Sequence, residues 1–324
     1  MSRILSRVGG VLRLVTTLGC VSSIAHAWDY GDGRHGSFVL TMSTTIEQLY
    51  LSVRLQSDPP VYNPSDSRAV PSFRNFTITN NSVLTATLWN GNNFVGRIEC
   101  SVQGVLAIDA GSSISAKGLG FGGGGAGQPG AGPGSGGGGS TYSPRPGTTG
   151  YRSGGGGGYG SAGGAGTNSG GAGGGVYGAA LETLFMSSGG GGGAEGAAGR
   201  AGGGVIVINA GRLRVDGQLH AGGSDGLTEY YPGGGSGGSG GGSGGSILLR
   251  VISVALGNVS AAGGGGGSDR YGNPAGGAGG VAWIRIEYSA GVPGATSPAA
   301  STLDNSGSDM DGDGIRDNVE WGPT

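Results

Sequence analysis

Lysine is almost absent from this 324-residue chain, Lys117 being the only one, and charged residues of all kinds make up 12% of it. No basic cluster exists, so nucleic acid and anionic membrane surfaces are poorly matched as partners. Cysteine occurs twice, at Cys20 and Cys100, and aromatic residues amount to 6%. Leu, Ile, Val and Phe together fall just short of a fifth of the chain. That poverty signals intrinsic disorder only alongside high net charge, and here the formal net charge is −2. Glycine is what the chain has instead: 83 residues, against 13 prolines. The glycines follow no sustained Gly-x-y period, which excludes a collagen triple helix.

The first 27 residues read as a secretory signal. Arg3, Arg7 and Arg13 precede or enter an apolar stretch from Val8 to Ile24, followed by Ala25-His26-Ala27. Export to the cell surface or the extracellular space is expected, with Trp28 as the mature N-terminus. Arg13, Thr16, Thr17, Ser22 and Ser23 interrupt the stretch, so it is a poor membrane span. Removal of the three arginines takes the net charge from −2 to −5. Cys100 is then alone and forms no intramolecular disulfide.

Residues 28–118 form a β-rich segment with strand-like runs at Ser37–Met42, Gln48–Leu55, Phe76–Trp89 and Phe94–Ala110. Residues 119–288 form a Gly-rich β-repeat region, 289–308 a linker, and 309–320 a terminal loop. One theme recurs: Val105-Leu106-Ala107-Ile108 leading to Ile114, Val205-Ile206-Val207-Ile208 leading to Leu219, and Ile247-Leu248-Leu249 leading to Val259, with Val281–Tyr288 as a closing strand. Repeats of this kind predict stacked units. Leu213, Val215, Leu219 and Ala221 alternate with polar residues, the mark of a half-buried strand. Val205–Ile208 is apolar on both faces and needs a cover. The expected fold is all-β, a parallel β-helix or solenoid-like core with long Gly-rich insertions, the alternative being a β-sandwich with disordered Gly-rich loops. The Gly tracts themselves read either as flexible linkers or as bundled extended helices of the polyproline II type. An apolar island, Ala179–Met186, is expected to dock on the core.

Residues that carry chemistry are few. Without the signal only His35 and His220 remain, and no phosphate-binding Gly-Lys-Ser/Thr element exists. The chain is therefore expected not to be an enzyme. The strongest local pattern is Asp309, Asp311, Asp313, Asp317 and Glu320, with Gly314 at the sharp turn and the Ile315 carbonyl as a further oxygen. Alternating carboxylates at this spacing suit a hard cation, so Ca²⁺ is the expected cofactor, at the ~10⁻⁴ to 10⁻³ M affinity of extracellular modules. Because Ile occupies the seventh position, the loop resembles a thrombospondin type 3 repeat. The entry Asp29-Tyr30-Gly31-Asp32-Gly33-Arg34-His35-Gly36, the junction Gly118-Leu119-Gly120-Phe121-Gly122-Gly123 and the Gly-Gly-led strand starts resemble secreted glycine-rich bacterial surface proteins, some labelled adhesin or gliding-motility proteins. That resemblance implies a non-enzymatic structural or adhesive role, with cell-envelope components or extracellular polysaccharide as partners and no nucleic acid. Two alternatives remain: a polysaccharide-active β-helix enzyme, and an ice- or surface-binding polyglycine protein.

Overall fold

The computed structural model describes residues 30–91, 95–142, 150–178, 184–194, 197–227, 237–268, 276–291 and 293–305. The signal segment 1–27 and the loop 309–320 lie outside them. Seven parallel strands form the path of a single sheet: β1 (Phe38–Leu40), β2 (Phe76–Ile78), β3 (Arg97–Ile108), β4 (Val205–His220), β5 (Ser246–Ser260), β6 (Trp283–Gly291) and β7 (Ser301–Asp304). A shorter row continues it through Thr44–Thr45, Val83–Thr85, Ser113–Ser115, the ends of β4 and β5, and Thr296–Ser297. The long strands bend between the rows, where the register shifts between Val215 and Gln218. The result is a half-barrel. This overturns the β-helix solenoid and the β-sandwich alike, since among the described residues neither closed strand coils nor a second sheet facing this one is present, although the chain is largely β.

The half-barrel is lined by alternate residues of each strand. Ile98, Cys100 and Val102 on β3 stack with Ile206, Ile208 and Ala210 on β4, with Ile247, Leu249 and Val251 on β5, and with Ile284 and Ile286 on β6. Burying each such aliphatic chain contributes about 1.5–3 kcal/mol, so this stack is the main source of stability. Burial pushes the Cys100 thiol up to about 12, and the residue serves as a small apolar side chain. The register corrects the expected repeat: Val205 pairs with Arg97 and Val105 with Arg212, so β3 begins eight residues before its apparent counterpart. The outer faces of Val205, Val207 and Leu248 are covered by Leu184 and Met186 from the apolar island.

One predicted strand is a helix. α1 (Ile46–Val53) replaces the run Gln48–Leu55, because Ile46, Leu49, Tyr50 and Val53 fall on one helical face and the Thr45 hydroxyl accepts from the Gln48 N–H at 3.3 Å as an N-cap.

The described parts of the Gly tracts are ordered and pack as a bundle beside the sheet. Gly154 and Gly157 donate to Gly238 and Gly241, Gly155 and Gly158 donate to Gly137 and Gly134, and Gly156 donates to Gly164. Donors that repeat their partner every third residue define a threefold extended helix of the polyproline II kind, with no internal hydrogen bonds. The tract at 153–159 is surrounded by six others, since Gly174, Gly191 and Gly280 in turn donate to Gly156, Gly155 and Gly157. Six neighbours around one helix is hexagonal packing of bare backbone, and only glycine permits it: a Cβ on Gly156 would overlap the Ala278 carbonyl.

Sheet and bundle are one body. β4 leaves the bundle at Gly204 and re-enters at Ala221, whose carbonyl lies against Gly203 and accepts from the Gly245 N–H at 2.7 Å. Tyr159 is buried with its hydroxyl 2.7 Å from Ser246 Oγ, at the start of β5.

Candidate binding site

Beside β3, the residues from Tyr30 onward cross the strand row and turn. Gly31 has φ +82° and Gly33 φ +64°, and a side chain on Gly31 would strike Ser72 and Ser101. The Gly-Asp-Gly-Arg-His entry is therefore a backbone requirement that brings Asp32, Arg34 and His35 against the segment 58–72. Arg34 is the hub. Its guanidinium contacts Asp32 at 3.1 Å and Asp58 at 3.3 Å, and donates to the carbonyls of Ser67, Arg68 and Val70 at 2.9–3.1 Å.

His35, Asp58 and Ser72 share this network, but the atoms do not form a nucleophilic relay. His35 Nδ1 accepts from the Ser72 backbone N–H at 2.8 Å, and Nε2 meets Asp58 Oδ2 at 2.9 Å. That pairing assigns the proton to Nε2. The Ser72 hydroxyl instead donates to Asp32 Oδ1 at 3.0 Å and accepts from the Gly33 N–H. Both Ser72 and the His35 ring are buried. Burial works against the Asp58 carboxylate, yet the His35 hydrogen bond, the Leu55 N–H and Arg34 hold it below its ordinary range. Asp32 is held low in the same way, burial being outweighed by the Arg34 N–H, Ser72 and the Arg34 charge.

This network walls a cavity of about 500 Å³ whose lining includes Asp32, Arg34, Arg68, Glu99, Ser101 and Asn209. Ser72, Ser101, Asn209, Arg250 and Glu287 are in register across five strands, so the cavity sits at the head of a polar row on the sheet's outer face. Asn209 is nine-tenths buried, and its Oδ1 has no hydrogen-bond partner. A second cavity, of about 320 Å³, opens on the far side of Pro64 and Ser65, lined by Trp89, Phe121, Tyr177, Phe185 and Met186. The wall between them is built: Tyr62 is buried beneath, its hydroxyl donating to the Arg97 carbonyl and accepting from the Glu99 N–H at 2.9 Å. Arg97 faces the aromatic cavity and Glu99 the polar one, and the two are paired at 2.6 Å.

The sequence-derived calcium residues, Asp309, Asp311, Asp313, Ile315, Asp317 and Glu320, all lie outside the described residues. Among the described residues no group of His, Cys, Asp and Glu is placed to hold a metal ion, and no helix is long and apolar enough to cross a membrane. His220 is half-buried, and burial first, then the Lys117 charge, lowers its pKa, with Asp225 opposing. The sequence reading missed the cleft, because Asp58, Ser72, Glu99 and Asn209 are single polar residues far apart in the chain. The signal that could have found it is the pair of glycines around Asp32, whose positive φ fixes the turn. No family model matches the chain, and no curated protein or solved structure is detectably similar to it.

Proposed function

We propose that this is an exported, non-enzymatic structural or adhesive protein of the cell surface, in which the polyglycine bundle and half-barrel hold a binding cleft rigid. The observation that carries this reading is the state of the cleft's chemical groups. Ser72 and His35 are buried and tied to one another through the wrong atoms for nucleophile activation, while Arg34, Asp32 and Asp58 form a static lattice. Groups spent on holding geometry suit recognition better than turnover. A polysaccharide-active enzyme draws support from Asp32 and Glu99 lining one cavity, but an Asp32 carboxyl held low is a poor proton donor at neutral pH.

Export and the calcium loop belong to the same proposal. The signal-like segment 1–27 supports secretion, and the carboxylate spacing at Asp309–Glu320 supports a weak Ca²⁺ site that orders the C-terminus or a contact there. Antibody labelling of intact producing cells, with and without a chelator, tests the whole. Surface label released by chelation is the expected result. A protein wholly in the medium and indifferent to chelation would remove the tethered adhesive role. Calorimetry should show a millimolar Ca²⁺ isotherm that Asp311→Ala with Asp313→Ala abolishes.

A further inference from the structure

We propose that the two cavities astride Pro64 and Ser65 form one binding site for a neutral, gluco-configured oligosaccharide, one ring stacking in the aromatic half and the next hydrogen-bonding in the polar half. The inference rests on the adhesive reading and supplies its ligand class. Both cavities fall within the usual range of small-ligand sites. They share Pro64 and Ser65 on their walls, so a ligand occupying both would straddle that ridge.

The chemistry of the two halves selects the ligand. Trp89 and Phe121 meet at 4.3 Å between ring centroids in an edge-to-face arrangement, and Phe185 beside them is 41% exposed. An exposed aromatic cluster of this kind calls for a flat apolar surface, such as the C–H face of a pyranose whose hydroxyls are all equatorial. The polar half calls for hydroxyls. Asp32 and Glu99 offer carboxylate oxygens, Arg34 and Arg68 guanidinium edges, and Asn209 an amide with hydrogen-bonding capacity still unused.

Charge pairing disfavours the ionic alternatives. Arg34 is shared by Asp32 and Asp58, while Arg68 is paired with Asp66 and Arg97 with Glu99. An anionic ligand would have to break these pairs and meet the surplus carboxylate, and a cation would have to compete with Arg34 for Asp32 and Asp58. A neutral polyol accepts both partners of each pair without separating them. Rigid walls also lower the ordering cost of binding, and the floor here is a five-strand register backed by the core.

The test is calorimetric titration of the full mature chain with cello-oligosaccharides and chito-oligosaccharides, together with intrinsic tryptophan fluorescence. Saturable binding at millimolar or lower concentration is expected, with a fluorescence change that Trp89→Phe diminishes. Trp89→Ala and Asn209→Ala should each weaken it by about tenfold or more, while Lys117→Gln, away from the cleft, leaves it intact. Circular dichroism identifies any variant that fails to fold, and Trp89→Phe and Asn209→Ser then carry the comparison. Absence of binding to both sugar series, binding untouched by the cleft variants, or selective binding of polygalacturonate over neutral sugars would overturn the proposal. Surface labelling that persists when sugar binding is absent would sink this inference while leaving the adhesive reading standing.

Discussion

Asp58 shows how much of the cleft rests on single side chains. Its carboxylate is 5% exposed and holds Arg34, His35 and the Leu55 N–H together. Removing one partner of such a buried pair leaves the others uncompensated, so Asp58→Ala should cost about 3–5 kcal/mol in urea denaturation. The pH dependence has a definite sign. Folding lowers the Asp58 pKa below its ordinary 3.8, so its stabilisation is complete above that value and is lost as the pH falls through the folded one. The Asp58 contribution to the denaturation midpoint should be level from pH 7 to about 5 and drop below about 4, beneath the earlier decline from about 6.5 that the lowered His220 pKa adds, and Asp58→Asn should flatten part of the drop below 4. At this scale little was legible in the sequence. Gly31 and Gly33 are needed at positive φ, yet from the sequence alone they counted only as part of the Asp29–Gly36 entry that resembles glycine-rich surface proteins. Ser72, Glu99 and Asn209 were illegible because any loop or strand tolerates such residues, and their meaning comes from lining one cavity with segments 30 or more residues apart in the chain.

Elements behaved according to whether their defining interactions are local. α1 was read as a strand because a short apolar run suits both periods, and what decided it was the i, i+3, i+4, i+7 face together with the Thr45 cap. The β3–β4 register was misread because both strands carry interchangeable aliphatic runs. The inward stack of Ile98 on Ile206, which settles it, depends on where the Gly tracts place β4. The tracts carry the sharpest prediction. A Cβ on Gly240 would overlap the Gly155 carbonyl, whereas one on Gly175 meets nothing within 4 Å. Gly240→Ala should therefore cost about 1–3 kcal/mol or more by overpacking, and Gly175→Ala should be neutral within about 0.5 kcal/mol. Thermal or urea unfolding of the two purified variants distinguishes them. Equal tolerance of both would contradict a packed bundle. Tyr159→Phe should cost about 1–3 kcal/mol, because Ser246 Oγ and the Phe185 N–H lose their shared partner.

For the whole molecule, the question is how a chain so poor in large apolar residues holds one rigid body. The half-barrel supplies an ordinary aliphatic core, and the bundle adds a lattice of backbone hydrogen bonds packed at van der Waals distance. Glycine loses more conformational freedom on folding than any other residue, so a single tract would stay disordered. The lattice offsets that cost cooperatively, because each tract lends its N–H groups to several neighbours at once. Hydrogen exchange should accordingly show amides 154–158, 189–193 and 240–245 protected as strongly as those of β4 and β5. Exchange of these tracts on the timescale of free peptide, with β4 still protected, would separate the bundle from the body.

The sequence by itself determined the β character, the inward alternation along β4, and the need for a cover over Val205 and Val207. These follow from periodicity and composition, which act within a few residues. Only the tertiary structure decided that the sheet is an open half-barrel rather than a solenoid or sandwich. It also decided that the tracts are ordered, and that two cavities meet at Pro64 and Ser65. The physical reason is the same in each case. A glycine tract has no side chain to announce a partner, so its conformation is set by the six backbones around it, and those neighbours come together only when the whole chain has folded.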